Sequence, residues 1–487
     1  MRQLRRQCKR TTLLIVGCSA FLVGLVLGRK IGVSGWFVLV SLPGAIMALR
    51  HRTMLAILIV VLAGLLLGTW RGMVYTHELQ PYKLLARHKI VFIATADTDA
   101  VYGLNAQLSF TMRNVHITYP QNYWVPGTIK VSGFGETMVY RGDQLEVQGS
   151  LYPTRGASQA VVSFAQLHKR GGDSTVIDTL RRKFTAGLQT ALPEPLASFG
   201  LGLLIGQRNT LPATLTQALL MVGLTHIIAV SGYNLTILLE ACKRLIGERS
   251  KVASTMAALA LIGGFLLIAG TSASIVRAAV VSVLGLSAWY YGRQVRPTLL
   301  ILLAAVGTAY ANPVYVWADT SWYLSFLAFY GVLVLAPNAT RKMCGEKKPH
   351  VLLQIAIESV CAEIMTLPLI LHIFGQMSLV SLLANVLVAA FIPLAMLLSF
   401  IAGLAGMLAG GIAGWLDWPA RLLLGYMVDV VNLLSRIPHV FQQNKYLTTL
   451  DMAIFYSLVV LLTGISYVIQ RRRQRFTSRV SKVTARS

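Results

Sequence analysis

The sequence predicts a polytopic α-helical membrane protein of about ten or more spans, with an extracytoplasmic β-barrel of OB-like fold inserted into it. Of its 487 residues, 55% are hydrophobic and only 13% are charged, and the mean hydropathy is +0.63. Most of such a chain cannot be covered by a water-facing surface of its own. Residues 77–172 differ, because they lack long apolar runs and alternate apolar with polar residues. The first observation predicts membrane helices and the second predicts the barrel.

The membrane helices are predicted by apolar runs close to the length that crosses a bilayer, about 20 residues. The runs lie at residues 11–28, 31–49, 53–70, 251–270, 273–291, 298–311, 322–337, 351–374, 377–408 and 448–470. Short apolar pieces between 196 and 240 are expected to add further crossings. The first run follows a basic start like that of a signal peptide, but it lacks a clear cleavage site, so we interpret it as a retained anchor.

The basic residues predict the topology. The net charge is +26, and the two termini are rich in Lys and Arg without any acidic residue. Because Lys and Arg beside membrane spans are retained in the cytoplasm, both termini and the loop at residues 50–52 are expected inside. We therefore expect a multi-pass protein of the inner membrane. Its parts are a three-span region at 1–76, an extracytoplasmic domain at 77–172, a second membrane domain at 173–470 and a basic cytoplasmic tail at 471–487.

Residues 77–172 are predicted to form five short strands separated by Gly, Pro and Asn turns. The alternation is clear in KIVFIATADT, LNAQLSFTMRNVHITY, GTIKVSGF, QLEVQGSL and QAVVSFAQL. This number of strands, with the turn at Gly142-Asp143, suits a small barrel such as an OB-fold. All five cysteines lie outside this segment and none forms a CxxC pair, so neither a disulfide framework nor a zinc site is indicated.

A polar break in an apolar helix is the most informative feature of the second membrane domain. In the segment GLTHIIAVSGYNL, His226 precedes the pair Ser231-Gly232 and then Asn234. A helix broken at Gly frees backbone groups that can hydrogen-bond a polar substrate, and polar side chains at membrane depth are costly unless they face a cavity. The alternative is that His226 and Asn234 only hold neighbouring helices together.

This segment resembles the THLLAVSGLHV-type signature of the ComEC family of DNA-internalisation proteins. Further segments resemble elements of that family in the same order along the chain. They are LGLLIGQRNTLP (201–212), GTSASIVRAAV (270–280), NPVYVWADTSWYLSFLAFYG (312–331) and AEIMTLPLILHIFGQMSLVSLLANVLVAAFIPL (362–394). With the outer barrel, the resemblance covers nearly the whole chain, and it implies that residues 173–470 form a competence-type channel domain.

The resemblance implies a conduit that passes one DNA strand inward during natural transformation, with a DNA-receptor protein and a cytoplasmic helicase-like ATPase as partners. The bilayer and single-stranded DNA are its other partners, and it could form a homo-oligomer. No GxxxxGK[ST] loop and no HxHxDH cluster occur in the sequence. We therefore expect neither an enzyme nor a cofactor, and the nuclease domain of many relatives must be absent or supplied separately.

The sequence also departs from the family pattern. The family's second His is Asn234 here, and the Asp of its Gly-Asp-Arg element is Gln207. Its Gly-Phe-Gln before Leu-Ser-Phe is replaced by residues 321–323, Ser-Trp-Tyr. Roles that depend on a second imidazole or on that carboxylate are therefore not carried over.

Ionisable residues inside the apolar runs are candidates for the DNA path, because a charge there costs a few kcal/mol or more unless it is compensated. A polyanionic substrate favours Arg277 as a phosphate contact, while Asp319 and Glu363 are expected to hold helices in register. The alternative is that Arg277 forms a structural ion pair with a carboxylate. The predicted path is bordered by His226, Ser231, Gly232, Asn234, Arg277, Asp319, Glu363 and Asn385.

In the outer domain, basic residues lie among aromatic ones, as in proteins that stack the bases of a single strand and pair with its phosphates. The predicted contacts are Trp124, Lys130, Arg141 and Arg155. The alternative is that the aromatic residues belong to the barrel core or anchor it at the membrane interface.

Two other functions are weighed against a DNA channel. A polytopic solute transporter would require paired broken helices in two halves, which the sequence does not reveal. An intramembrane serine protease would use Ser231 with His226 as its base, but a spacing of five residues places the two about 140° apart around a helix at roughly 100° per residue.

Overall fold

The computed structural model describes residues 9–102, 107–135, 138–153, 156–171, 175–207, 210–228, 250–270, 273–293, 296–345, 347, 349–409 and 414–465. Its N-terminal region consists of three apolar helices, α1 (Arg10–Leu27), α2 (Gly35–His51) and α3 (Met54–Glu78). Helices α1 and α3 pack closely at two glycines. A Cβ added at Gly24 would come within 2.3 Å of the Leu65 carbonyl oxygen, and one added at Gly68 within 2.1 Å of the Phe21 carbonyl oxygen. Small residues permit this backbone approach between membrane helices.

The barrel follows a short helix, α4 (Gln80–Leu84). Its strands are β1 (Lys89–Ala96), β2 (Val101–Tyr102), β3 (Gln107–Tyr119), β4 (Tyr123–Phe134), β5 (Gln144–Pro153) and β6 (Ala160–Gly171). The sheet runs in the order β1-β5-β6-β4-β3-β2, and a further pairing of β1 with β3 closes five strands into a barrel. All these pairs are antiparallel except β4 with β6. Alternate side chains, such as Phe92, Met112 and Leu145, fill its interior.

The second membrane domain begins with α5 (Val176–Ala191), whose first turn is capped by the Thr175 hydroxyl. The helices that follow are α6 (Leu196–Ile205), α7 (Ala213–Val222), α8 (Thr225–Ile228), α9 (Lys251–Ala269), α10 (Ala273–Tyr290), α11 (Pro297–Ala311), α12 (Val314–Ala318), α13 (Thr320–Tyr330), α14 (Ala336–Cys344), α15 (Val351–Phe374), α16 (Ser381–Ala389), α17 (Ile392–Ala409), α18 (Gly414–Ser435) and α19 (Thr449–Ile465). A π-helical turn, Gly331–Leu335, joins α13 to α14, and Pro337 follows at a position where it removes a backbone donor.

Five helices in the described residues are long and apolar enough to cross a membrane, or six spans if one bent pair counts as a span. They are Arg10–Leu27, Met54–Glu78, Lys251–Ala269, Thr320–Cys344 and Val351–Phe374. This supports a helical membrane protein, while the larger number of crossings stays a prediction. The run at 377–408 does not form one straight helix, because α16 and α17 meet at a bend of 52°.

The largest apolar core of the second membrane domain joins α5 to α8 with α16, α17 and α18. Helix α18 contributes Ala420, Leu424 and Met427, all buried. The short and bent helices of this domain therefore surround one common interior.

Candidate functional site

A cluster of polar residues lies where helices of the second membrane domain are interrupted. Helix α7 ends at Gly223, which has φ +81° and donates its N–H to the carbonyls of Leu219 and Leu220. After this turn, His226 donates from Nδ1 to the Gly223 carbonyl at 3.1 Å. The His226 ring also hydrogen-bonds the Asn385 side chain on α16. The break in one helix is thus tied to a neighbouring bent helix through two of the predicted path residues.

Glu363 reaches the same region from α15. Its carboxylate accepts a hydrogen bond from the Ser381 hydroxyl at the start of α16. Gly223 packs against this point, since a Cβ added there would lie 2.8 Å from the Ser381 Cβ. We name Gly223, His226, Glu363, Ser381 and Asn385 the helix-break cluster. It unites three predicted path residues, although they are separated by up to 159 positions in the chain (385 − 226).

The other predicted members of this break lie outside the described residues. They are Ser231, Gly232 and Asn234. Their roles stay predictions.

Arg277 lies in a second polar group and is buried, with 1% of its side chain exposed. Its Nη2 donates to the Ser321 carbonyl and hydroxyl, each at 3.1 Å. Its Nη1 lies 3.9 Å from Asp319 Oδ2, and neither of these two atoms has a hydrogen-bond partner among the described residues. Asp319 Oδ1 accepts from the Ser321 N–H at 3.0 Å and caps α13. This geometry favours the ion pair, the alternative that the sequence left open, and a direct phosphate contact by Arg277 stays a prediction.

The barrel is joined to the membrane helices near this ion pair. Gln159, which directly precedes β6, donates to the Tyr75 hydroxyl of α3. That hydroxyl donates to Asn312 Oδ1 at 2.9 Å, and Asn312 Nδ2 donates to the Ala157 carbonyl at 3.3 Å. The barrel and α11 are thus linked directly, seven residues before Asp319 (319 − 312).

A second junction is built from charged residues around Arg141. The Arg141 backbone N–H donates to Asp99 Oδ1 at 2.9 Å, its Nη1 donates to the Leu267 carbonyl of α9 at 3.2 Å, and its Nε lies 3.8 Å from Asp178 of α5. Arg181 of α5 pairs with Asp99 at 2.7 Å. The Arg141 side chain is mostly buried. Its predicted contact with DNA is untested, and within the protein it holds the barrel against α5 and α9.

The outward face of β4 carries the other two predicted contacts that the structure describes. Trp124 is 68% exposed, and its ring stacks on His116 of β3 with a centroid distance of 4.6 Å. Lys130 is exposed farther along the same face. Arg113 of β3 lies 3.6 Å from Asp97. Burial raises the pKa of the Asp97 carboxyl, and nearby Arg113 opposes that rise. Arg155 lies outside the described residues.

Several residues of these groups were missed by the sequence reasoning. Ser381, Tyr75 and Gln159 are common polar residues, and the sequence around each of them gives no sign of the contact that it makes. Only Asn312, next to Pro313 at the end of an apolar run, offered a signal. Among the described residues, no group of three or more His, Cys, Asp and Glu side chains is placed to hold a metal ion.

Comparison with known proteins gives two matches. A family described as "Competence protein" matches residues 203–468. ComE operon protein 3 of Bacillus subtilis (strain 168) is 24% identical over 273 residues, which cover 53% of this chain and 34% of that protein. The match therefore spans about a third of the relative's length. No solved structure matches the chain.

Proposed function

The chain belongs to the competence protein family, and from that premise we propose that it is a channel that passes single-stranded DNA across the inner membrane during natural transformation. The observation that carries this proposal is the helix-break cluster, which lies wholly within the matched residues 203–468. Polar groups at interrupted membrane helices are where proteins contact polar substrates inside a bilayer. His226, Glu363 and Asn385 converge there.

We infer that the barrel is of OB type and receives the strand on the outer side. The closed circuit β1-β5-β6-β4-β3 with one parallel pair supports this class. Such barrels bind single strands through exposed aromatic rings and basic side chains on one face. Trp124 and Lys130 share the outward face of β4. The bonds from Gln159 and Ala157 to Tyr75 and Asn312 would hold that face over the membrane helices.

The proposed protein is a conduit and not an enzyme. A cytoplasmic helicase-like ATPase or the membrane gradient would drive the strand, and an outer DNA-receptor protein would deliver it. The protein would span the membrane many times, with the barrel outside and both termini inside, and could act as a homo-oligomer. Its buried Arg277–Asp319 pair would lie beneath the barrel, near the entrance of the path.

The test is a deletion strain complemented with the wild-type gene. Cells are given labelled marker DNA, and transformants, surface-bound DNA and nuclease-resistant DNA are counted separately. We expect the deletion to abolish transformants and nuclease-resistant DNA while surface binding persists. Normal transformation in the deletion strain would refute the channel.

Two alternatives are tested in the same strain. The meeting of the interrupted α7–α8 segment with the bent pair α16–α17 favours a solute transporter, since such carriers bind substrates at discontinuous helices; this function predicts normal transformation without the gene. If the protein is an intramembrane serine protease, a gene with Ser231→Ala should fail to restore the function lost in the deletion strain, because a nucleophile cannot be replaced. A channel should keep its activity after the loss of this one hydroxyl.

A further inference from the structure

Two phenylalanine rings stand side by side on the outer surface of the barrel. Phe134 ends β4 and is 63% exposed, while Phe164 of β6 is 70% exposed. Their ring centroids are 6.4 Å apart, with an angle of 35° between the planes. The two strands run parallel here, with Gly133 paired to Ala165. Two adjacent rings exposed to this degree are not explained by the barrel core, which is filled by other residues.

The backbone at Phe164 is held in a conformation that a bulky residue rarely adopts, with φ +56°. Bulges in the pairing of β6 with both neighbouring strands surround it. The bulged chain is packed tightly, because a Cβ added at Gly149 would lie 2.5 Å from Val162 Cγ1 and one at Gly133 would lie 2.6 Å from the Ala165 carbonyl oxygen. Bulges redirect side chains, and strained residues cluster at functional positions. Glycine at 164 would relieve the strain, so the ring itself requires an explanation.

The surroundings of the two rings favour a nucleobase over a lipid chain or an apolar protein surface. Exposed side chains of Gln107, which pairs with Phe134, and of Gln166 offer amide donors and acceptors beside the rings. Lys130 lies four residues from Phe134 on the same face of β4. An unpaired base that stacks on the exposed face of either ring would have its edge toward an amide and its phosphate toward Lys130.

We propose that Phe134 and Phe164 form a binding site for an unpaired nucleobase of the incoming strand. The site rests on the proposed function, because it presumes that the barrel receives single-stranded DNA. It adds to the predicted contacts at Trp124 and Lys130 and places an aromatic group at each end of β4 with a cation between them. A strand lying along β4 would then be held at several nucleotides.

The test uses the full chain in lipid nanodiscs and a fluorescent oligothymidine, with the dissociation constant measured by anisotropy. Phe134→Leu and Phe164→Leu keep apolar side chains but remove the rings, and each should weaken binding by about 5- to 150-fold, the range of one base–aromatic stack. Phe164→Tyr is the matched control and should bind like the wild type. An oligomer of abasic sites keeps the phosphates without the bases, so wild type and variants should bind it equally. Photocrosslinking with 5-iododeoxyuridine should modify Phe134 or Phe164.

The outcomes separate this site from the function on which it rests. If the wild type binds no oligothymidine even at low salt, DNA reception by the barrel fails and the base site fails with it. If the wild type binds, but the double variant Phe134→Leu/Phe164→Leu binds equally well and no crosslink reaches either ring, only the base site is overturned. The rings would then be covered by lipid or by another protein.

Discussion

Arg277 Nη1 lies 3.9 Å from Asp319 Oδ2, and both side chains are almost fully removed from the surface. This distance is long for an ion pair, and the Ser321 carbonyl and hydroxyl hold the other end of the guanidinium. A buried charge that loses its partner destabilises a protein by about 3–5 kcal/mol, whereas removal of both charges is often tolerated. The pair can therefore be tested for a structural role and for a role in transport separately.

Arg277→Met should reduce the amount of folded protein in the membrane, because it leaves Asp319 unpaired. Asp319→Asn keeps an oxygen that can cap α13. It leaves Arg277 without its partner charge, so it should also reduce the amount of folded protein. The double variant Arg277→Met/Asp319→Asn should restore the protein level, measured by immunoblot and thermal stability. If Arg277 borders the DNA path, transformation should stay low in the double variant. Full recovery of transformation would assign the pair a structural role alone.

The predicted topology places Lys130 outside and Arg52 inside. In a background with all five cysteines replaced by serine, Lys130→Cys should react with a maleimide that cannot cross the inner membrane. Arg52→Cys should react only after the membrane is permeabilised. Labelling of position 52 but not of position 130 in intact cells would invert the topology. Both residues are exposed or half-buried in the structure, so either thiol can be reached once the reagent is on its side.

Binding of DNA to the outward face of β4 should depend on an aromatic ring and a charge in different ways. Trp124→Ala should lower the affinity for single-stranded DNA by about 1–3 kcal/mol, the value of one stacked base. Lys130→Gln should lower the slope of log affinity against log salt by about 0.7, the release expected for one phosphate contact. Tyr119, which is 62% exposed at the end of β3, provides a control, and Tyr119→Ala should bind like the wild type. An unchanged DNA affinity in Trp124→Ala, together with an unchanged salt slope in Lys130→Gln, would overturn these contacts and favour a lipid anchor.

Local sequence patterns predicted the helices and strands well where a single pattern dominates the segment. Helix Val351–Phe374 matches its predicted bounds, because a polar His350 precedes the apolar run and Gly375 ends it with φ +61°. The barrel strands follow the period of two. The bend between α16 and α17 was not predicted, because residues 377–408 form one long apolar run; Pro393, in the first turn of α17, is the local mark of the break that this length concealed.

Contacts between distant segments explain what the sequence left open. The pairing of Arg277 with Asp319 was one of two alternatives, because a single sequence does not reveal which carboxylate packs beside a guanidinium. The link from Gln159 to Tyr75 joins residues 84 positions apart, and that from Tyr75 to Asn312 joins residues 237 apart. Ser381 lies in the helix-break cluster because Gly223, which has no side chain, allows α16 to approach the end of α7.

Gly223 should be indispensable because two constraints act on it. Its φ of +81° disfavours any residue with a Cβ, and that atom would lie 2.8 Å from the Ser381 Cβ. Gly223→Ala should therefore destabilise the protein by about 1–2 kcal/mol through backbone strain and also shift α16, which carries Asn385 and contacts Glu363. Gly292, just after α10, is the matched control, since it has φ +62°, the same pattern of backbone hydrogen bonds as Gly223, and no atom within 4 Å of an added Cβ. Transformation per unit of inserted protein, measured for both variants, should fall at least tenfold in Gly223→Ala and remain near the wild-type value in Gly292→Ala. Equal transformation by the two variants at equal protein levels would show that the helix-break cluster does not border the path, because the strain alone would then account for every effect of the substitution.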